Sequence, residues 1–440
     1  MILNEEVEGL VPQENNKKNE WMLKKTSIFL FFSEKKHIFV NELKTLYIIY
    51  MAKINKISYE LKDVCVVQSP ISYQEHRGDV NPYVTTCGRE TLPIFVSPMA
   101  SVTDEKNYKV WIENKVTPVI PRSVMGNLSI SERLDLSKET FVSFSLSEIT
   151  SLFNDGFLVN FVSDENPLYI CIDIAHGTLS SLYDICTKIK KSFGNKVIIM
   201  TGNIANPKAY EYYCRCGIDY CRCSIGSGSR CTSSANVSIH MGMATLLDDI
   251  QEIKASMYKP TSDENPIFIE TKIIADGGIG WFDDIQKALV LGADYVMMGK
   301  LFAECEEACG DIIWSTSLES VMDGNVYSNR MISRLTEEVE EYGELCLGSM
   351  VSDISELKPY RMYFGMSTRQ AQSITGGDGK KTSEGISRPV EIKHPVAKFL
   401  DNVVSYLRSC MTYTNSSTID ELHNAEVVIL GGSGDLSYRK

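Results

Sequence analysis

Cys231 is the residue around which a reaction could be built. It sits in SIGSGSRCTSS, positions 224–234. Glycines at 226 and 228 open backbone conformations closed to other residues, so amides and carbonyls can turn toward a ligand or an ion. Ser229 adds a hydroxyl suited to phosphate. A cysteine surrounded by amide dipoles in an accessible loop is favoured as thiolate, and the thiolate is the nucleophile. The plainer alternative is a surface loop with an incidental cysteine.

Two further glycine turns stand in IIADGGIG (273–280) and VMMGK (296–300). Paired glycines next to a helix N-terminus are a common way to hold phosphate. IDIAHG (172–177) presents Asp173, whose carboxylate could hold a ribose hydroxyl or a nicotinamide amide; His176 reads as a capping residue rather than a base. Cys214, Cys216, Cys221 and Cys223 fall in CRCGIDYCRC, which invites a metal reading. The two-residue gap of zinc knuckles is absent, and Cys221 and Cys223 share one face of an expected strand, so free thiols in a barrel wall are the better account.

The elements that must position these groups are short β-type runs at 94–99, 116–121, 141–146, 168–173, 197–203, 220–225, 272–277 and 295–300. Helix-like stretches such as 178–193 and 283–291 lie between them. Strands alternating with helices imply parallel βαβ units, and eight of them predict an α/β fold of the closed (β/α)8 TIM-barrel type. A doubly wound open sheet is the alternative. In such a barrel the strand C-terminal ends build the site, gathering Ser97, Met99, Arg122, Asp173, Asn203, the loop after Ile225, Asp276, Gly277, Gly278, Gly299 and Lys300. The sixth connection is long, 46 residues from Ile225 to Lys272, and residues 312–358 read as an insertion with 337–341 helical. The expected organisation is an N-terminal extension (1–50) ending near a second start at Met51, a barrel domain (51–420) and a C-terminal tail (421–440).

Bulk properties narrow the function. With 43% hydrophobic and 9% aromatic residues the chain can bury a large core. A net charge of −13 without a long basic run argues against nucleic acid held by phosphate neutralisation. Thirteen cysteines in 440 residues suit reduced cytoplasmic thiols better than a disulfide scaffold. No apolar run reaches the ~18–20 residues of a membrane span. The apolar stretch near residue 30 runs into Glu34, Lys35 and Lys36, which argues against a secretory leader.

Taken together, YELKDVCVV, IFVSPMASVTDE, IDIAHG, MTGNI, IGSGSRCT, IIADGGI, GADYVMMGKLFA, YFGMS and SEG, collinear from about Ile57 to Tyr413, resemble the family of GMP reductase and inosine-5′-monophosphate dehydrogenase. The resemblance implies a purine mononucleotide substrate, GMP or IMP, attacked at C2 by Cys231. In the dehydrogenase, hydride leaves to NAD and a flap carrying an Arg-Tyr pair activates the hydrolytic water. In the reductase, ammonia leaves and NADPH returns a hydride. Here the segment STRQAQSITGGDGKKTS (367–383) is short, no Arg-Tyr dipeptide occurs in the chain, and only 19 residues separate Pro121 from Phe141. That leaves no room there for tandem regulatory (CBS) domains. The expectation is therefore an NADPH-dependent GMP reductase-like oxidoreductase, with a short IMP dehydrogenase or a catalytically idle nucleotide-binding barrel as alternatives.

Residue by residue, the resemblance implies Cys231 as nucleophile, with Ser233 and Glu384 as the relay that protonates the leaving amine. Asp276 would bind ribose hydroxyls, with Ser229, Gly277, Gly278, Gly299 and Lys300 near the phosphate. Ser97, Met99, Tyr363, Gly365, Met366, Ser367, Ser383 and Gly385 complete the nucleotide site. Arg122, Asp173, Ile174, Ala175, Asn203, Ile225 and Gly226 fall at cofactor positions. Carbonyls of Gly226, Gly228 and Cys231 match a monovalent-cation site, for potassium, and family barrels form homotetramers. Departures are Ser234 for a basic residue, Lys300 for a second glycine, Lys381 for an arginine, Pro121 for a histidine and the loop TSSANVSIHMG, which leave a modified purine nucleotide open as substrate.

Overall fold

The computed structural model describes residues 57–122, 128–228, 233–257, 270–342, 354–365, 368 and 385–430. The expected extension 1–50 and the residues beyond 430 lie outside them. So do Ser229, Cys231, Met366, Ser367, Ser383 and Glu384. Ser233 is described only as the first residue of a short helix, Ser233–Val237.

Eight parallel strands close on themselves. They are β1 Ile94–Val96, β2 Thr117–Ile120, β3 Phe141–Phe144, β4 Leu168–Asp173, β5 Val197–Ile204, β6 Tyr220–Cys223, β7 Lys272–Asp276 and β8 Tyr295–Met298. Seven fall within the runs read from the sequence, and β5 runs one residue past its own, to Ile204. The last strand pairs with the first, Val296 with Ile94 and Met297 with Phe95, and this closure rules out the open sheet. Outer helices follow most strands, among them α1 Tyr108–Glu113, α2 Ile130–Leu136, α3 Leu146–Asn154, α4 Ser180–Phe193, α5 Ala209–Arg215, α6 Met243–Met257, α7 Phe282–Val290 and α8 Val396–Tyr413. Helices α2 and α3 each start in a Ser-x-x-Glu box: Ser129 with Glu132 and Ser145 with Glu148 satisfy amides that the first turn leaves without helical partners.

Strand side chains alternate between two surroundings. Ile94 and Val96, Ile170 and Ile172, Cys221 and Cys223, and Ile273 and Ala275 join the layer shared with the outer helices. Phe95, Val119, Phe141, Cys171, Met200, Ile274 and Met297 form a separate interior cluster. Rings of Phe95, Phe141 and Tyr220 meet edge to face at 5.3–5.8 Å, so the lumen is a packed core rather than a pore. Two residues beyond Cys171, Tyr220 and Ile274, the same parity turns Asp173, Arg222 and Asp276 toward the barrel mouth.

Two matching sequences start even-numbered strands, GIDY at β6 and GADY at β8. In each the aspartate reaches sideways to the neighbouring strand. Asp219 accepts from the Ile199 amide at 2.7 Å and from Lys190 Nζ at 2.9 Å. Asp294 accepts from the Ile273 amide at 2.8 Å and from Lys272 Nζ at 2.9 Å.

The insertion is a second sheet. Strands β9 Ile313–Ser315, β10 Tyr327–Ser328, β11 Lys358–Tyr363 and β12 Arg388–Glu391 pair antiparallel in the order β10-β9-β11-β12. Residues 337–341 fall inside the helix Asn329–Tyr342. The segment set aside as a tail from 421 is part of the fold as far as residue 430. Ile419 and Leu422 are buried, and Val427–Ile429 pairs with Val64–Val66. No helix among the described residues is long and apolar enough to cross a membrane.

Lys190 and Asp219 are a buried pair, at 6% and 14% side-chain exposure. Burial pushes the Asp219 carboxyl above its ordinary value, only partly offset by Lys190. Lys190→Met should cost ~3–5 kcal/mol, because it leaves a buried carboxylate unpaired. A carboxyl whose folded pKa is raised stabilises the fold below its ordinary titration range and loses that contribution as pH rises through the raised value. The loss should therefore be smaller at pH 5 than at pH 8 in denaturant titrations of the variant. An equal loss at both would remove the buried-charge explanation.

Candidate active site

The mouth of the barrel opens into a cavity of about 430 Å³ walled by Ser97, Met99, Asp173, Arg222, Gly228, Asp276, Gly277, Gly278, Gly299, Lys300, Tyr363 and Gly365, among others. Eleven of the nineteen lining residues are candidate site positions read from the sequence. Arg222 is not among them. It stands on β6 between Cys221 and Cys223, and strand alternation that buries those two cysteines outward turns it inward. Gly202 on β5 makes room, because a Cβ there would lie 2.5 Å from the Arg222 Cβ.

Arg222 organises the polar layer. Its Nη1 donates to Asp173 Oδ1 at 2.8 Å and its Nε to Asp276 Oδ2 at 2.9 Å. Asn203 Nδ2 donates to the same Asp276 oxygen at 2.7 Å, and Arg122 Nε stands 3.5 Å from Asp173 Oδ2. The result is a chain, Arg122–Asp173–Arg222–Asp276–Asn203, across the strand ends. Burial raises the Asp173 carboxyl, but Arg222 and Arg122 outweigh it and hold the group below the ordinary aspartate value. Burial likewise opposes the Arg222 charge, and Asp276 and Asp173 more than restore it. The Asp173 carboxylate is thus held as an ionised acceptor, ready for hydroxyl or amide donors.

Gly277 and Gly278 have φ of +105° and +78°, and a Cβ on Gly277 would come 3.0 Å from the Gly228 amide nitrogen. The β7 turn and the cysteine loop therefore meet backbone to backbone, as a phosphate cradle requires. The Ser227 hydroxyl beside them is buried with no hydrogen-bond partner among the described residues. The expected helix N-terminus is a different matter. The amides of Gly280 and Trp281, before α7, both donate to Asp284 Oδ2 at 2.9 Å, so an internal carboxylate already holds them. An anion at this turn would be left with the glycine-turn amides and Lys300, whose Nζ stands 3.8 Å from Glu304. Strand β11 ends at Tyr363, whose hydroxyl lies 3.4 Å from Met99 Sδ over the mouth.

Among the cofactor positions, Ile174 is half-buried, Ala175 is exposed, and Asn203, Ile225 and Gly226 are half-buried next to the Arg222 chain. His176 is exposed and its Nδ1 pairs with Thr178 Oγ1 at 3.1 Å, a local contact. The Gly226 carbonyl accepts from Ser234 Oγ at 3.4 Å. Gly226 and Gly228 would supply two of the three carbonyls for a monovalent cation; Cys231 lies outside the described residues. Gly385 is buried at the far end of the 368–385 connection.

The cysteine loop is tied down on both sides of its undescribed centre. His240 Nδ1 contacts the Ile225 carbonyl at 2.8 Å and its Nε2 the Glu60 carboxylate at 2.6 Å. Glu60 also accepts from the Met243 amide at 3.1 Å. These roles of Glu60 and His240 had no signal in the sequence beyond YELKDVCVV. The wall cysteines are inert: burial pushes the Cys171 thiol up to about 11 against the pull of Arg222, and raises Cys221 and Cys186 as well. Every described cysteine is free, and among the described residues no cluster of His, Cys, Asp and Glu could hold a metal.

Residues 159–342 match the family model described as "IMP dehydrogenase / GMP reductase domain". The inosine-5′-monophosphate dehydrogenase of Chlorobaculum parvum is 29% identical over 253 residues, covering 58% of this chain and 43% of that protein. That of Streptococcus pyogenes is 26% identical over 361 residues, 82% of this chain and 59% of that protein. The chain spans about half the length of the curated relatives it matches.

At the head of the loop, Ser224 has φ +105°, a region that costs a side-chain-bearing residue ~1–3 kcal/mol. Its hydroxyl is buried without a partner among the described residues. Ser224→Gly should raise stability by ~1 kcal/mol in urea unfolding, strain relief exceeding the added chain entropy. Ser224→Ala, which keeps the Cβ, should not. Destabilisation by the glycine would show that no strain is held there.

Proposed function

We propose, from the match of residues 159–342 to the IMP dehydrogenase / GMP reductase domain, that the chain is an oxidoreductase of purine mononucleotides, specifically an NADPH-dependent reductase converting GMP to IMP and ammonia. The observation that carries the nucleotide reading is the mouth itself: the Asp276 carboxyl group, placed for a ribose diol, next to a glycine cradle for the 5′-phosphate. The preference for the reductase rests on segment 367–383, which is short and has no Arg-Tyr pair to activate a hydrolytic water. The β2–β3 connection, holding little beyond α2, supports a barrel without tandem CBS domains inserted at that point.

In this reading Asp276 orients the ribose and the amides of Gly277 and Gly278, with Lys300 and Ser229, hold the phosphate. That fixes the purine C2 over Cys231, whose thiolate adds to C2 and pushes an electron pair onto the ring nitrogen. The exocyclic amine is a poor leaving group until protonated. The Ser233 hydroxyl and Glu384 carboxyl pass it that proton, and ammonia departs as the C2–N bond breaks. Bound NADPH would supply the hydride to C2, after which the C–S bond breaks and the thiolate is restored. Asp173 and Arg122 would orient the nicotinamide half. Asn203, which bonds Asp276, goes with the ribose rather than with the cofactor. The Gly226, Gly228 and Cys231 carbonyls, an all-oxygen donor set, suit potassium. A homotetramer in the cytoplasm is proposed with it; the free thiols suit a reducing compartment.

A second reading is favoured by the printed name of the relatives, IMP dehydrogenase, with IMP oxidised to XMP at the expense of NAD. Absorbance of the reduced dinucleotide separates the two. GMP with NADPH should show consumption and release of ammonia, and IMP with NAD no production. The opposite pattern makes the chain a dehydrogenase, and silence in both mixtures makes it a nucleotide-binding barrel without turnover.

Cys231→Ala should abolish turnover while GMP affinity stays within a few-fold, because Asp276, Gly277, Gly278 and Lys300 stand at or just past the ends of β7 and β8 and do not depend on the sulfur. Glu384→Gln should lower turnover by ~10²–10⁴ with little change in affinity, the usual worth of positioned general-acid help. Ser233→Ala should lose a similar factor and the double variant little more, since members of one relay are not additive. A glutamine variant with near-normal GMP turnover would remove Glu384 from the relay.

A further inference from the structure

We propose that Arg222 is a positioning residue that couples the nucleotide and dinucleotide subsites, because one guanidinium bridges Asp276 at 2.9 Å and Asp173 at 2.8 Å. The inference rests on the reading above, in which Asp276 takes the nucleotide ribose and Asp173 the nicotinamide half of the dinucleotide.

The geometry makes the bridge rigid. A guanidinium presents its donors in a planar fork, so Nε and Nη1 cannot reorient independently. Arg222 has 9% side-chain exposure, Asp173 11% and Asp276 13%, which leaves little water to absorb a movement at one end. Fixing Asp276 against a ribose diol fixes the fork, and the fork fixes Asp173. The first ligand thus bears the cost of ordering the chain, and the second binds a carboxylate already in place. That is positive cooperativity, and it must be reciprocal. Asn203 shares the Asp276 oxygen at 2.7 Å but donates to Asp276 alone in this chain, so it belongs to the nucleotide end.

The competing account is charge balance alone, in which Arg222 only neutralises two buried carboxylates. It predicts that a lysine restoring the positive charge restores everything. Coupling predicts otherwise, because a single ammonium lacks the fork that joins the two oxygens.

The test is calorimetric titration of the full-length protein with NADP⁺, in the absence and presence of saturating GMP, a pair that cannot transfer hydride to the purine. In the wild type GMP should tighten NADP⁺ binding by about tenfold, within the usual range for coupled sites. In Arg222→Lys each ligand should still bind alone, and the factor should fall below about twofold. In Asn203→Ala GMP affinity should drop while the factor persists. Retained GMP binding shows that each variant is folded. A wild-type factor near one, or an unchanged factor in Arg222→Lys, overturns the coupling and leaves the nucleotide reading standing. A wild type that binds neither GMP nor IMP overturns both.

Discussion

The closure of β8 on β1 is the constraint from which the rest of the molecule follows. Once Val296 pairs with Ile94, the sheet has no edge, and every strand residue faces either the helices or the lumen. The lumen below is filled by Phe95, Phe141, Tyr220 and their neighbours. Polar side chains of inward parity have one place left, the C-terminal mouth. Asp173, Arg222 and Asp276 are therefore brought together by strand register as much as by their own attraction. The ion pairs then set their orientation within a layer that closure has already chosen.

A closed barrel fixes strand ends but not the loops above them, and the long sixth connection needs separate anchoring. Glu60 and His240 supply it from outside the barrel, one gripping the Ile225 carbonyl through the other. The small antiparallel sheet does the same for the opposite wall. Its strand β11 carries Tyr363 to the mouth above Met99, so an excursion that looks unrelated to chemistry delivers one side of the cavity.

Much of this was legible in the sequence for physical reasons. Parallel strands buried on both faces read as short apolar runs, and glycine turns mark their ends, so all eight strands and eleven residues of the cavity wall could be placed. Arg222 carries no such mark: CRCGIDYCRC reads as a thiol pattern, although the parity that puts Cys221 and Cys223 on one face also puts Arg222 on the other. The four-stranded sheet had no local signature, since β9 and β11 pair across more than 40 residues. His240 as an anchor of Ile225 was equally invisible, because the contact with Glu60 spans 180 residues.

Charge explains how an acidic chain can receive a phosphate. In the layer beneath the cavity, Asp173 and Asp276 are matched by Arg122 and Arg222, so it neither repels nor strongly attracts an anion. The α7 N-terminus, the obvious positive end, is occupied by Asp284. What remains for a 5′-phosphate is the backbone of the glycine turns, the Ser227 hydroxyl and Lys300. Lys300 is itself drawn toward Glu304, which Lys393 also holds at 2.9 Å. Lys393 thereby relieves Lys300 of part of the work of neutralising Glu304 and leaves it freer to face the cavity. In the proposed reading, recognition of the anion would be carried by short-range donors in fixed positions rather than by a field, as a net charge of −13 requires.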